Sequence, residues 1–196
     1  MTKKQKQTVV GGLLHDITNY PEHLRLIGLI VTRWSSLEGC LALTFWELLG
    51  SPENASAIYY ALGNSKAQRD IVRSLAKKKL QNDKAGVEAL DLIARFASLS
   101  VTRGRIVHGQ WGTPAKGSGA DPFVSVQTPA KEDEVWEHIF TVRELQDTAD
   151  RIQALENRLG TFNFFLLARH SSWAAETLAE RRKSYSKLDT YLRTLE

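Results

Sequence analysis

Apolar side chains recur at three- and four-residue spacing in two long stretches, and no other feature constrains the fold as tightly. The first stretch runs through Ile27, Ile30, Trp34, Leu37, Leu41, Phe45 and Leu48. The second runs through Leu145, Ala149, Ile152, Leu155, Leu159, Phe162 and Leu166. At about 3.6 residues per turn such rows fall on one side of a helix and need a surface to cover them. A half-buried strand would alternate at every second residue, and neither stretch does. Two long amphipathic helices that must pack against partners point to an all-α fold.

The residues between the stripes mark further elements. Asn19-Tyr20-Pro21 sets a proline at the first helical position, and Gly50-Ser51-Pro52 ends the first long helix. A short helix is expected from Glu53 to Leu62, closed by Gly63-Asn64. Ser65 is then the expected cap of a helix to about Leu80, with Ile71, Val72, Leu75 and Leu80 inward and Arg69, Arg73, Lys77, Lys78 and Lys79 outward. Asn82-Asp83 opens a helix from about Lys84. In it Val87, Leu90, Ile93, Ala97 and Val101 are expected to form the main buried row, widened by Leu92, Phe96 and Leu99, and Gly109 falls at the position that usually ends a helix. From Gly112 to Phe140 the chain is rich in Gly, Pro and Ser around two short strand patterns, Phe123 to Gln127 and Glu134 to Phe140. Thr141-Val142-Arg143-Glu144 reads as a capping box. A last helix is expected from Ser172 to Leu195, carrying Arg181-Arg182-Lys183. The sum is an all-α antiparallel helical bundle with a small β-hairpin insertion over residues 112–140. It forms one domain over residues 1–196, behind a basic tail of residues 1–8, with no fixed repeat and no dividing linker.

Composition narrows the function classes. The 196 residues carry a formal charge of +4, which permits a polyanionic partner without requiring one. The single cysteine, Cys40, excludes an intrachain disulfide and a cysteine-based zinc site. Lys3-Lys4-Gln5-Lys6 precedes an apolar run from Val9 to Leu14. That run contains Gly11-Gly12 and meets His15-Asp16, too short for a signal-peptide core. No stretch holds the eighteen or so uninterrupted apolar residues of a membrane span. The expectation is a soluble, cytoplasmic protein without a membrane partner. The lysine of a phosphate loop is missing before Ser118, no dinucleotide fingerprint or nucleophile elbow is present, and His15, His23, His138 and His170 lack ligand-spaced partners. No metal and no cofactor are expected.

The chemistry concentrates in Thr102-Arg103-Gly104-Arg105-Ile106-Val107-His108-Gly109-Gln110-Trp111-Gly112. Four residues separate Arg103 from His108. On one helix this puts the two side chains about 140° apart with roughly 7.5 Å of rise, so a single chain is not expected to aim both at one atom. Two copies about a two-fold axis would. A histidine near neutrality serves as general acid or base, arginines hold phosphate oxygens, and an indole stacks on a base. The same residues also admit a structural reading, in which His108 caps helix-end carbonyls and Trp111 plugs the core.

The segment from Arg103 to His108, closing a helix and followed by Trp111, resembles the arginine–four-residue–histidine motif of HEPN domains. Trp34-Ser35-Ser36-Leu37-Glu38 is similar to the opening helix of many bacterial HEPN-like proteins. The resemblance is sharp only at the Arg–His segment and covers the helical frame loosely, over about residues 22–168. It implies a homodimeric, RNA-binding helical bundle and a metal-independent endoribonuclease of toxin–antitoxin or phage-defence type, with an antitoxin-like protein as a further partner. His108 would do acid–base work and Arg103 would hold the phosphate. Arg105, Trp111 and Glu38 complete the expected substrate-binding set, Glu38 by pairing with Arg103 or Arg105. The chain departs from the motif at Gly104, where Asn is common, and at Gln110, where toxin members often carry Tyr. Gly104 reads equally as a place for a neighbouring helix to approach closely. The alternatives are a non-catalytic HEPN-like interaction or nucleotide-binding module, and a helical protein-binding scaffold.

Overall fold

The computed structural model describes residues 17–50, 52–81, 83–112, 122–127, 135–169 and 190. The helix expected from Ser172 to Leu195 and the tail of residues 1–8 lie outside them, as do most of the loops of the 112–140 insertion. Among the described residues the order is a 3-10 turn (Ile17–Asn19), α1 (Pro21–Leu49), α2 (Pro52–Ala61), α3 (Ser65–Lys79), α4 (Lys84–His108), β1 (Gln110–Gly112), β2 (Phe123–Gln127), β3 (Val135–Ile139) and α5 (Val142–Ala168). The fold is all-α, as the two stripes require.

Helix boundaries follow local chemistry. Gly50 takes a φ of 73° and its amide reaches the Trp46 carbonyl, so α1 ends in a left-handed residue that glycine adopts without strain. The expectation that Ser65 caps α3 is corrected: Asn64 is the cap. Its backbone is extended and its side chain accepts a 2.8 Å bond from the Ala67 amide, leaving Ser65 as the first helical residue. At α5 the capping box is present. The Glu144 amide donates to Thr141 Oγ1 at 3.2 Å, and the Thr141 amide donates to Glu144 Oε2 at 2.9 Å. Gly109 keeps a helical bond to the Arg105 carbonyl and is not among the left-handed glycines, so α4 runs directly into β1 rather than through a glycine cap.

The chain divides into two compact units, Met1–Val31 with Thr102–Ala149, and Thr32–Val101 with Asp150–Glu196. The divisions fall inside α1, α4 and α5, not in a linker. The first unit holds the sheet, whose order is β1-β2-β3 and whose pairs are all antiparallel. Gln110 pairs with Ser125 and Gly112 with Phe123, while Phe123 pairs with Ile139 and Gln127 with Val135. The expected hairpin is thus present with a third strand on its edge. His23 of α1, buried at 3% exposure, donates a 3.0 Å bond to the Phe140 carbonyl at the end of β3 and satisfies a polar ring inside this unit.

In the second unit α4 runs antiparallel to α5, since Glu88 pairs with Arg158 and Asp83 with Arg169. There α1 lies beside α5 in the same direction, with Arg33 on Asp150 and Thr44 bonded to Asn163. The Trp34 and Phe96 rings meet at 4.7 Å and join α1 to α4. Thr44 and Asn163 are buried, and the Asn163 amide closes their network on the Cys40 carbonyl at 2.8 Å. A polar pair inside a helix interface is tolerated because each member is bonded.

The buried face of α4 matches the expected one at Leu92, Ile93, Phe96 and Leu99 and differs elsewhere. Val87 and Val101 are 71% and 55% exposed, whereas Ala85, Ala89, Leu92, Ile93, Phe96, Leu99 and Ile106 are buried. Small alanines at the start of α4 let the helix axis approach its neighbours there, while Leu92, Ile93, Phe96 and Leu99 supply the bulk of the buried row. Ile71 and Leu75 of α3 are half-buried, and the inner positions there are Val72, Ala76 and Leu80. By length and composition α1 would cross a bilayer, and the buried row Leu26, Ile30, Trp34, Leu37, Leu41 and Phe45 is what a core helix also carries.

Candidate functional site

The last turn of α4, in the first unit, is anchored by Ile106, whose side chain is fully buried. At about 100° per residue, that anchor turns His108 to the far side of the helix and Arg105 to its flank. Both are exposed, and Arg103 is half-buried. The exposed Arg105 guanidinium also meets the partial negative charge of the helix C-terminus favourably.

Arg103 Nη1 and His108 Nε2 lie 3.1 Å apart. This corrects the expectation that one chain does not bring the two groups together. Helical side chains lean toward the N-terminus, so the His108 ring drops back over the preceding turn. The residue one turn before it is Gly104, and a Cβ built there would meet nothing within 4 Å. With no side chain between them, the long arginine crosses the helix surface and closes the remaining gap. A guanidinium only donates, so Nε2 accepts and the imidazole proton sits on Nδ1 while this contact holds. The open space at Gly104 also removes the reading of that glycine as a site of close helix approach.

Trp111 turns back toward α4. Its Nε1 donates a 2.8 Å bond to the Ile106 carbonyl, one of the carbonyls that a helix end leaves without an intrahelical partner. Its ring lies 6.1 Å from Phe140, which in turn is 4.5 Å from the His138 ring. Trp111 therefore binds its own helix end through Nε1, while its ring stays half-exposed. Gln110 is held in β1 opposite Ser125. His138 meets Glu144 at 3.2 Å beside the α5 cap, a pairing across six residues that no ligand-spacing rule anticipates. Burial pushes the Glu144 carboxyl up, but its bonds from Thr141 and the charge of His138 outweigh this and hold it below the usual carboxylate range.

Glu38 belongs to the second unit, whereas Arg103 and Arg105 belong to the first. It is half-buried on α1, and its charge, after burial, is the next contribution raising the Tyr59 hydroxyl above its ordinary range. Cys40, also in the second unit, has its thiol pushed up by burial and by Glu156, the direction that makes a thiol inert. Among the described residues no three His, Cys, Asp or Glu side chains cluster as metal ligands.

What the last turn of α4 offers chemically is a permanent cation beside a neutral, proton-accepting imidazole at an exposed helix end. An anion that draws Arg103 away releases Nε2 as a base. The chain matches no family model, no curated protein and no solved structure.

Proposed function

We propose that this chain is an HEPN-like RNA-binding protein whose Arg103 and His108 form a metal-independent endoribonuclease site, completed by the same pair from a second copy. The observation that carries this reading is the 3.1 Å contact between Arg103 Nη1 and His108 Nε2 at an exposed helix end. A scissile phosphate takes the guanidinium, and Nε2 is freed to accept the ribose 2′-hydroxyl proton. The 2′-oxygen attacks phosphorus, and Arg103 stabilises the charge that builds on the non-bridging oxygens. The bond to the 5′-oxygen breaks, and that oxygen takes a proton from an imidazolium supplied by the partner copy. The products are a 2′,3′-cyclic phosphate and a free 5′-hydroxyl. Arg105, exposed one position from the turn's anchor, is placed to hold a flanking phosphate.

A second reading, a non-catalytic RNA- or nucleotide-binding module, is favoured by Trp111 and Gln110. The indole nitrogen of Trp111 is bonded to the Ile106 carbonyl and Gln110 is held through its backbone in β1, so the segment's tail is tied to the fold of its own chain.

Incubation with a labelled RNA in excess EDTA separates the two. The nuclease leaves cyclic-phosphate ends, and His108→Ala and Arg103→Ala each lower the rate about tenfold or more. Both variants keep the dimer by sedimentation. RNA bound and recovered intact supports the module instead. Cleavage that survives His108→Ala, or a monomer at all concentrations, rules out the proposed site.

A further inference from the structure

The second unit holds arginines that the Arg103–His108 reading does not use. A cleft of about 320 Å³ between α4 and α5 is lined by Arg95, Ser98 and Leu99 on one side and Arg151, Leu155 and Arg158 on the other. The sequence brings them together in a simple way. Arg151 and Arg158 are seven residues apart and share one face of α5, because two helical turns take about 7.2 residues. Arg95 and Ser98 share a face of α4, which runs the opposite way.

Two of the guanidinium groups are held by carboxylates of α4. Arg95 Nε meets Asp91 Oδ2 at 2.7 Å, Arg158 Nη2 meets Glu88 Oε2 at 2.6 Å, and Arg158 Nη1 lies 3.7 Å from Asp91. Neither carboxylate lines the cleft, and among the described residues no acidic side chain does. The floor is apolar, since Leu99 and Leu155 are 4% and 5% exposed. Three guanidinium groups, one hydroxyl donor and a low-polarity floor make a poor seat for a cation or an apolar chain. They suit an oxyanion: each guanidinium offers a planar fork of N–H donors that matches phosphate geometry, and the carboxylates of α4 limit the entropy lost when two of the forks are used. The cleft volume falls at the small end of ligand sites, room for a phosphate with its sugar rather than for a large cofactor.

We propose that this cleft is a phosphate-binding site, taking a phosphate carried by an RNA backbone or by a free mononucleotide. It shares no residue with the Arg103–His108 site and stands or falls separately from it.

The test uses the full chain and two probes, a short labelled oligoribonucleotide followed by anisotropy over a salt series, and adenosine monophosphate followed by calorimetry. Ser98→Glu places a carboxylate among the arginines without removing any of them, at an exposed position. Arg151→Gln removes one of the lining cations, and Ser98→Ala is the control. If RNA is the source, Ser98→Glu weakens RNA binding about tenfold, and Arg151→Gln lowers the slope of log affinity against log salt by about one phosphate contact. If a mononucleotide is the source, Ser98→Glu abolishes the calorimetric signal and leaves RNA binding in place. Either result supports the site, and both are read again with His108→Ala present, so that loss at one site is not taken for loss at the other. Unchanged binding of both probes in Ser98→Glu and Arg151→Gln, with melting temperatures preserved, overturns it and leaves the arginines as ion-pair partners of α4.

Discussion

The two ends of α4 hold arginines in opposite ways. Toward the N-terminus, in the second unit, Glu88 and Asp91 fix Arg158 and Arg95 at ion-pair distance, and Glu88 is only 11% exposed. At the C-terminus, in the first unit, Arg103 is bonded to an imidazole on the exposed surface of the last turn. A guanidinium bonded to a carboxylate in a half-buried setting stabilises the fold, because removing either partner strands the other charge. A guanidinium bonded to a neutral ring gives little to stability and is easily claimed by a stronger acceptor such as phosphate. The contrast is between arginines that share a carboxylate with their own helix pair and one that shares an imidazole.

The largest effect expected from this contrast is on stability. Arg158→Ala leaves Glu88 without its 2.6 Å partner and lowers unfolding free energy by about 2 kcal/mol, within the range for bonds to charged groups. For a chain of this size that is a fall in melting temperature of roughly 4–8 °C. Arg103→Ala lowers stability by less than about 1 kcal/mol. Denaturant titration of both variants reads the difference directly. Equal losses would break the comparison and make Arg103 a structural residue.

The same helix shows which features were legible in the sequence. The stripe of α5 was read without error: Leu145, Ala149, Ile152, Leu155, Leu159, Phe162 and Leu166 are all buried, because one apolar row stands alone there against polar neighbours. On α4 two rows compete. The bulky Leu92, Ile93, Phe96 and Leu99 are buried as expected, but near the start of the helix Ala85 and Ala89 lie inward in place of Val87, since close helix packing admits small residues that a hydrophobicity count discounts. The Thr141–Glu144 cap was legible because its two bonds are local. The Arg103–His108 contact was not, because angular spacing on a cylinder ignores side-chain length and lean. The arginine cleft could be found only by knowing which face of α4 meets which face of α5, and no local pattern carries that. A seven-residue repeat of arginine on α5 was the one available signal.

A smaller effect sharpens the contrast at the N-terminal end. A Cβ on Gly86 would collide with the Leu80 carbonyl oxygen, so the first turn of α4 is packed directly onto the backbone that precedes it. Gly86→Ala forces that backbone to shift. The strain of overpacking exceeds the gain in helix propensity and lowers stability by about 1–2 kcal/mol. The measurement is again denaturant unfolding, with the midpoint moving at constant slope. A stabilised Gly86→Ala protein would mean that this end of α4 is as open as the other.

The smallest effect has the opposite sign and tests the site itself. At Gly104 a Cβ meets nothing within 4 Å, so Gly104→Ala removes the backbone freedom of a mid-helix glycine at no steric cost. Stability rises by up to about 1 kcal/mol. A single methyl at this position does not reach across the path from Arg103 to His108, so the proposed nuclease reading predicts an unchanged rate of RNA cleavage for the alanine variant. A longer apolar side chain does reach across it. Gly104→Leu keeps the helix propensity of alanine, covers the turn on which the His108 ring rests and separates the 3.1 Å pair. The proposed nuclease reading then predicts a fall in cleavage without a fall in stability. If leucine leaves the rate untouched, the contact between Arg103 and His108 has no part in the chemistry, and the open surface at Gly104 reflects only the exposure of that turn.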